Sequence, residues 1–331
     1  MEPKILILTH LSECHKIEPL EKVINFKMWN TKAHKRKLIK NKGIYMDKNN
    51  KANRGDLITY QEWEPESYFK KIDGHYLHEP FYTNNPSIQY IENTDPFTYG
   101  NQFYYCVCQQ HKVKEFMKIP NGSILLFAGM TGIGEKDSSP ASFAIDTLLV
   151  IKRSIVYSSK TLLECMKQYR NGNTSLKLYD VNGVDYLNIS REYFHITLRT
   201  IKHEFPGENL TLYECENYQT NKDLYSFFPC TNKFDPSRTL LKMEDRELFP
   251  KMLHGNSKNE FYVKNKLVGK DKVKINAQNY PCLIIEGIKV KDFYNKVKER
   301  IFEQGKYIGI YQDMPPFRND INYWENIHQL L

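Results

Sequence analysis

The sequence lacks any hydrophobic run long enough to cross a bilayer. A membrane-spanning helix needs about 20 mainly apolar residues, and no stretch of the chain approaches that length. The apolar run near the N-terminus, which ends at Leu8, is also too short for the core of a signal peptide. We therefore expect a cytoplasmic protein that has no membrane partner.

The cysteines lack the spacing of a disulfide framework and of a zinc site. There are seven, an odd number, and Cys106-Val107-Cys108 has one residue fewer between its cysteines than the C-x-x-C of most zinc sites. We expect reduced thiols and no metal. We interpret Cys106 and Cys108 as small residues on one face of a strand. The alternative is that Cys108 is a nucleophile. His75 and His78 could bind a metal if they shared one face of a helix. Gly74 and Pro80 disfavour a helix there.

Acidic residues are in deficit. The chain has 331 residues with 47 Lys and Arg against 39 Asp and Glu, which gives a net charge of +8. That excess suits a polyanionic partner. Basic runs at residues 32–42 and 264–274 can contact phosphates, or they form solvated faces. The 23 tyrosines suit pocket walls and interfaces, unless they reflect a general compositional bias.

Short apolar runs separated by turn residues predict an α+β fold with a bent mixed or antiparallel sheet and flanking helices. The predicted strands cover residues 4–8, 57–63, 103–109, 123–128, 142–152, 194–200, 210–215, 225–230 and 283–288. Helices are expected at 161–169 and 290–304, and partly over 17–39. The length suggests two units, a barrel-like nucleotide-recognition domain at 1–155 and a second α+β region at 156–331.

Residues 72–102 show little periodicity and many aromatic, Gly, Pro and Asn residues. A structureless stretch of this length is usually functional or disordered, and the aromatic content argues against disorder. Asp95, Tyr99 and Asn101 lie in it, and loops held by a rigid scaffold often carry binding residues. We expect an aromatic binding loop, in which Tyr76 and Tyr99 stack on a ligand and His78 stacks or contacts a phosphate.

Glu62-Trp63-Glu64-Pro65-Glu66 is the most unusual short segment. On a strand its three glutamates share one face and Trp63 the other. Neighbouring carboxylates repel one another, so they need a cation, a donor or water. Carboxylates can accept hydrogen bonds from a base edge or act as acid and base, and an indole can stack on a base. A solvated strand end with one buried tryptophan is the alternative.

Asp146 stands inside an otherwise apolar strand, and a carboxylate there must find a partner or a functional role. The alternative to a functional role is an ion pair with an arginine at the core edge. Gln109 and Gln110 can read a base edge, since amides pair well with adenine. Arg238 can contact a phosphate.

Two further motifs are incomplete. His195-Ile196-Thr197 matches half of an H-x-T phosphoesterase pair, and the nearest partner, His10-Leu11-Ser12, has serine in place of threonine. Gly129 to Gly134 looks like a phosphate loop but lacks the lysine that follows in a P-loop.

Several short segments together resemble bacterial proteins grouped as nucleotide-modification-associated domains. They are Gly55-Asp56-Leu57, Glu62-Trp63-Glu64-Pro65, His78-Glu79-Pro80-Phe81-Tyr82, Asp95-Pro96-Phe97-Thr98-Tyr99-Gly100, Cys108-Gln109-Gln110, Gly122-Ser123-Ile124-Leu125-Leu126-Phe127, Phe143-Ala144-Ile145-Asp146-Thr147, Phe227-Phe228-Pro229-Cys230 and Ser237-Arg238. The resemblance implies an association with systems that make, read or restrict modified nucleotides in DNA. It also implies a small barrel of the PUA or ASCH kind. No catalytic residue carries over from the family, and the cofactor is unknown.

We therefore expect recognition of a modified nucleotide or a nucleic acid, in DNA modification or phage defence. An enzyme acting on nucleotides or DNA bases is the first alternative, with Glu62, Glu64 or Asp146 as acid or base. A protein-interaction component of such a system is the second. The sequence does not assign an oligomeric state.

Overall fold

The computed structural model describes residues 2–9, 36–63, 65, 67–83, 94–107, 114–131, 141–199, 207–255 and 282–318. Five residues singled out above, Glu64, Glu66, Cys108, Gln109 and Gln110, lie outside this described part, as do His10, residues 32–35 of the first basic run and the basic run 264–274.

Strands dominate the described residues. In chain order the elements are β1 (Ile5–Thr9), β2 (Arg36–Met46), β3 (Ala52–Glu62), β4 (Ser67–Ile72), β5 (His75–Pro80), β6 (Tyr82–Thr83), β7 (Tyr104–Val107), α1 (Lys114–Met117), β8 (Ile124–Thr131), β9 (Ser142–Tyr157), α2 (Ser159–Arg170), β10 (Ser175–Tyr179), β11 (Tyr186–Ser190), α3 (Arg191–Tyr193), a π-helical turn (Phe194–Leu198), β12 (Leu210–Cys215), β13 (Phe228–Cys230), β14 (Thr239–Lys242), β15 (Lys251–His254), β16 (Cys282–Glu286), α4 (Val290–Glu303), β17 (Tyr307–Gln312) and β18 (Phe317–Arg318).

The larger sheet has the strand order β15-β16-β1-β8-β9-β12-β7, and β14 pairs with β9. Strand β1 runs parallel to β8 and antiparallel to β16. Its residues alternate between two apolar clusters: Ile5 and Ile7 join one, and Leu6 and Leu8 the other. A strand that is buried on both faces needs a continuous apolar run, which explains the sequence Ile-Leu-Ile-Leu of β1.

The second sheet has the order β13-β17-β2-β5-β4, and β3 pairs with β2. Strands β2 and β3 form a long hairpin in which Arg36 lies opposite Glu62 and Met46 opposite Ala52. Its turn ends at Asn50, which has a φ of 58°, a conformation that asparagine tolerates better than most residues. The paired length of this hairpin carries Arg36 and Glu62 to the same end of the sheet.

Both sheets contribute to the same core. Met46 and Ile308 of the second sheet pack with Ile5 and Ile124 of the larger sheet, and Leu57 packs with Leu6 on the opposite side. A third cluster is rich in aromatic rings and contains Trp63, Phe97, Tyr99, Tyr104 and Tyr193. Fully burying one large apolar side chain contributes about 1.5–3 kcal/mol, so these clusters account for much of the stability.

In the described part, both large sheets extend across the predicted boundary near residue 155. Strand β9 runs through that position, and both large sheets contain strands from either side of it. Strand β14, for example, pairs with the part of β9 that precedes residue 155. The predicted α+β class is confirmed. A closed barrel is not formed by the strands that the structure describes, since each sheet runs from one edge strand to another.

Several predicted elements differ from the structure. The segment 194–200 was predicted as a strand and is wrong, because Phe194–Leu198 is π-helical. The interval 72–102 contains β5 and β6, so it is only partly irregular. Gly55 and Asp56 precede the predicted strand 57–63 but lie inside β3, and residues 36–39 belong to β2 instead of a helix. Among the described residues, no helix has the length and apolar character of a membrane span.

Candidate functional site

Four charged side chains form a buried cluster between the two sheets, which we call the charge cluster: Arg36, Glu62, Asp146 and Arg238. Nη1 of Arg36 donates to Oε2 of Glu62 at 2.6 Å, and its Nε donates to Oδ2 of Asp146 at 2.9 Å. Arg238 pairs with the other oxygen of Asp146 through Nη2. Two guanidinium groups therefore face two carboxylates, and the formal charges balance.

The register of the strands explains why these residues meet. Arg36 and Glu62 are direct cross-strand neighbours in the β2–β3 hairpin. In the β8–β9 pair, Phe127 lies opposite Thr147 and Ala128 opposite Ile145, so Asp146 is the extra residue of a β-bulge. Bulges re-aim a side chain and are common beside functional sites. On the other edge of β9, β14 starts with Thr239 opposite Ile145, which brings Arg238 to Asp146.

Burial sets the electrostatic character of the cluster. The side chains of Arg36, Glu62 and Asp146 are almost inaccessible, whereas that of Arg238 is 11% exposed. Removing charges from water is costly, and their mutual attraction compensates only when the geometry is good. Arg238 is therefore the outermost member, and the other three fix its position from behind.

The loop that carries Arg238 is held by two residues, Tyr60 and Lys306. Tyr60 donates its hydroxyl hydrogen bond to the carbonyl of Pro236 at 2.8 Å, and its ring lies 4.4 Å from the Arg238 guanidinium carbon. Burial raises the pKa of Tyr60, while the positive charge of Arg238 opposes that effect. Nζ of Lys306 donates to Oδ2 of Asp235 at 2.5 Å and to Oγ of Ser237 at 2.7 Å. The guanidinium is thus fixed between a carboxylate and a phenol ring.

The same loop shows the effect of Lys306 on a carboxylate. Partial burial raises the pKa of Asp235, but hydrogen bonds from Lys306 and Ser237 outweigh burial and hold that pKa below its ordinary value. Lys306 is itself buried. Its ammonium group donates a third hydrogen bond, to the carbonyl of Ser237 at 2.8 Å. A buried ammonium with three hydrogen bonds fixes the position of the loop.

Trp63 and Tyr99 do lie together, with ring centroids 5.1 Å apart and planes at 66°. Both rings are fully buried, and burial raises the pKa of Tyr99 well above its ordinary range. The backbone carbonyl of Trp63 accepts a hydrogen bond from Nζ of Lys37. The indole therefore points toward Tyr99 inside the aromatic core, and a stacking role for either ring stays a prediction.

The remaining predicted residues occupy other buried settings. His78 is fully buried on β5, with Nδ1 2.8 Å from Oγ of Ser67. Tyr76, two residues earlier, packs edge-on against Phe69 at 5.8 Å. Asp95 accepts a hydrogen bond from the backbone N–H of Cys106 at 3.2 Å. The structure thus brings Glu62, Asp146 and Arg238 into one cluster and places Tyr76, His78 and Asp95 elsewhere; their ligand contacts stay predictions.

Sequence reasoning missed Arg36, the residue that joins the two carboxylates. Its only local signal is that the basic run 32–42 contains the apolar pair Leu38-Ile39, which lies near the start of β2.

Sequence reasoning also missed a buried polar network on the opposite face of β3. There Nε2 of Gln312 donates to Oε1 of Gln61 at 2.8 Å and to Oγ1 of Thr98 at 2.5 Å. The requirement that Asp146 find a partner is confirmed.

A cavity of about 250 Å³ lies at another edge of the larger sheet. Its lining includes Pro3, Leu253, Ile284, Glu286 and Val290, and it contains none of the predicted site residues. Within the described ranges, no three His, Cys, Asp or Glu side chains converge to hold a metal ion. The charge cluster is therefore the most distinctive polar arrangement that involves predicted residues.

Comparisons with protein-family models, with curated proteins and with solved structures find no match. The resemblance to nucleotide-modification-associated domains therefore stays a prediction, and the argument for function depends on the charge cluster and its surroundings.

Proposed function

We propose that this protein recognises a nucleotide or a nucleic acid, and that Arg238 contacts a phosphate or base edge of the ligand. The supporting observation is the placement of Arg238, which lies at the accessible rim of the charge cluster between Asp146 and the ring of Tyr60. A planar guanidinium binds phosphate through two parallel hydrogen bonds and stacks on aromatic rings. Pre-ordering the side chain lowers the entropy cost of that contact.

The excess of positive charge supports the same proposal. A net charge of +8 favours encounter with a polyanion by long-range attraction. The carboxylates of the cluster add a second type of contact, since they can accept hydrogen bonds from the amino group of a base. Recognition of a modified base and a role in DNA modification or phage defence both rest on the resemblance and belong to this proposal.

An enzyme is the alternative that one observation favours. Glu62 and Asp146 bind the same guanidinium, that of Arg36, so the cluster holds two carboxylates close together. Paired carboxylates serve as acid and base in many reactions. Both are occupied by arginine in this structure, which fits a positioning role better than proton transfer. Mass analysis of nucleotides and oligonucleotides after incubation with the protein distinguishes an enzyme, which leaves a product, from a reader, which does not.

The proposal is tested by the salt-dependent binding of labelled single-stranded DNA, duplex DNA and RNA. Affinity measured between about 50 and 200 mM salt gives the number of phosphate contacts from the slope. The variant Arg238→Lys keeps the charge beside Asp146 but removes the planar fork. We expect it to weaken binding about tenfold, equivalent to about 1.4 kcal/mol, with little change in melting temperature.

The matched control is Arg54→Lys. Arg54 is an exposed arginine that pairs with Asp313 and lies 5.8 Å from the ring of Tyr311, so it repeats the chemistry of Arg238 on a different surface. Its substitution should leave affinity unchanged. Equal binding by wild type and Arg238→Lys would contradict the assignment of Arg238, and the absence of any binding by wild type would contradict the proposed function itself.

A further inference from the structure

Four aromatic rings follow one another beside the strand pair β6–β18, and we call them the aromatic row: Tyr169, His195, Tyr82 and Phe317. The ring centroids of Phe317 and Tyr82 are 5.3 Å apart, those of Tyr82 and His195 5.6 Å, and those of His195 and Tyr169 5.9 Å. All three contacts are tilted, at planar angles between 38° and 58°. The row is continuous from α2 to the strand β18.

Hydrogen bonds hold His195 in the middle of the row. Its Nε2 lies 3.1 Å from the carbonyl oxygen of Thr83, which can only accept, so Nε2 carries the proton. Nδ1 then accepts from the hydroxyl of Tyr169 at 2.6 Å. His195 belongs to the π-helical turn, a feature that often occurs at functional sites. The backbone register pairs Phe317 with Tyr82, which fixes the other end.

The row is accessible at Phe317. This side chain is 44% exposed, and it has the most exposed ring of the phenylalanines that the structure describes. Tyr82 is nearly buried behind it, and Tyr169 is partly exposed at the far end. An exposed aromatic ring offers a free face on which a nucleic-acid base can stack. Tyr82 covers part of the Phe317 ring, and the rest of the ring is exposed.

Arginines lie at both ends of the row. The guanidinium carbon of Arg191 is 3.8 Å from the centroid of Tyr169. At the other end, Arg318 follows Phe317 directly, lies 4.7 Å from the ring of Tyr68 and donates from Nη1 to its hydroxyl at 2.8 Å. Arg199 acts electrostatically on His195, and Glu192 on Tyr82. Three arginines against one glutamate make the surface complementary to phosphate.

We infer that the aromatic row binds a nucleic-acid single strand, with an unpaired base stacked on Phe317, a neighbouring phosphate near Arg318 and a phosphate farther along the strand near Arg191. This inference rests on the proposed function and names its ligand as unpaired nucleic acid. Aromatic side chains combined with basic groups are the usual means of holding single strands, because every base has a face that stacks and every nucleotide has a phosphate. A duplex offers no free base face, so it binds less well here.

The test compares the affinity of the full chain for a labelled mixed-sequence DNA single strand with its affinity for the matching duplex. Phe317→Ala should weaken single-strand binding at least about fivefold, because one base–aromatic stack contributes about 1–3 kcal/mol, and should change duplex binding less. Phe317→Trp, which keeps an aromatic ring at this position, should bind the single strand about as tightly as wild type. Arg318→Gln should lower the slope of log affinity against log salt by about one phosphate contact.

Two controls separate this surface from general effects. Leu240→Ala removes another exposed apolar side chain, and Arg54→Ala removes an exposed arginine over a tyrosine; neither should alter single-strand binding. Phe317→Ala binding the single strand as tightly as wild type overturns the inference. If Arg238→Lys weakens binding in that case, the proposed function stands and only this surface is wrong. No binding of any nucleic acid by wild type overturns both.

Discussion

Nε of Arg36 donates a hydrogen bond to Asp146 across 110 residues of sequence, and this contact joins the two large sheets. Because Arg36 also binds Glu62, one guanidinium connects both carboxylates of the cluster. The same arrangement keeps the partners of Arg238 in place. Stability and recognition are therefore coupled at this point of the structure, and substitutions must be chosen to separate them.

Loss of Asp146 should destabilise the protein strongly. Asp146→Ala leaves the guanidinium groups of Arg36 and Arg238 buried without this carboxylate, and breaking a buried pair in this way costs about 3–5 kcal/mol. Urea unfolding measures the change. Asp56→Ala is the control, because Asp56 pairs with Lys40 at 3.0 Å on an exposed surface and should lose less than about 1 kcal/mol. Equal effects of the two substitutions would show that the buried cluster contributes no special stability.

The environment of His195 predicts a loss of stability in acid. Burial, reinforced by the charge of Arg199, lowers the pKa of His195 from 6.5 to about 4. The unfolded chain therefore takes up a proton near pH 6.5 while the folded protein does not. The unfolding free energy is therefore unaffected by His195 above pH 6.5 and falls as the pH drops from 6.5 toward 4. The full loss amounts to roughly 3 kcal/mol.

Unfolding free energies measured from pH 7.5 to 4 test this prediction, with His195→Gln as the comparison. The groups that face His195 are the rings of Tyr82 and Phe317, the hydroxyl of Tyr169, the carbonyl of Thr83, and the positive charges of Arg191 and Arg199. The free energy of wild type should fall more steeply than that of the variant, by up to about 1.4 kcal/mol per pH unit. Parallel curves would mean that His195 does not stay neutral.

Lys306 should act on binding through the loop that carries Arg238. Lys306→Met removes the hydrogen bonds to Asp235 and Ser237, so the loop loses its anchor. We expect faster amide exchange at residues 235–238 and weaker nucleic-acid binding, similar to Arg238→Lys. Lys296→Met removes only an exposed pair with Glu247 and serves as the control. Faster exchange without weaker binding would show that the position of Arg238 does not matter for the ligand.

The secondary structure was predictable where the local pattern agrees with the fold. The run Ile124 to Ala128 and the helical spacing of Val290–Glu303 both encode their elements directly, and both predictions are confirmed. Phe194–Leu198 reads locally as a strand because it alternates and contains Ile and Thr. It is helical because contacts from distant residues, such as Thr83 to His195, outweigh the local preference.

The charge cluster was predictable only in part. An aspartate within an apolar strand requires a partner, and the segment around Glu62 was recognisable as unusual. The identity of the partner was not available, because the Arg36–Asp146 contact depends on the β-bulge at Asp146, and a bulge is set by the register of two strands. Trp63 was recognised as important, but the number of rings that pack around it was not readable from one sequence.

The buried state of Trp63 gives a last prediction about the aromatic core. Its indole is fully buried against Tyr99, so it should emit at short wavelength and resist quenching by iodide. The difference between the spectra of wild type and Trp63→Phe isolates this one tryptophan. Trp63→Ala should destabilise the protein by about 3–5 kcal/mol, because it removes a large buried ring and leaves a cavity. If a bound single strand made Trp63 accessible to iodide or quenched it, the core would have to open on binding, and the base contact predicted for Trp63 would be restored. If its emission stays unchanged on binding, Trp63 does not contact the ligand, and its role is confined to the aromatic core that it forms with Tyr99.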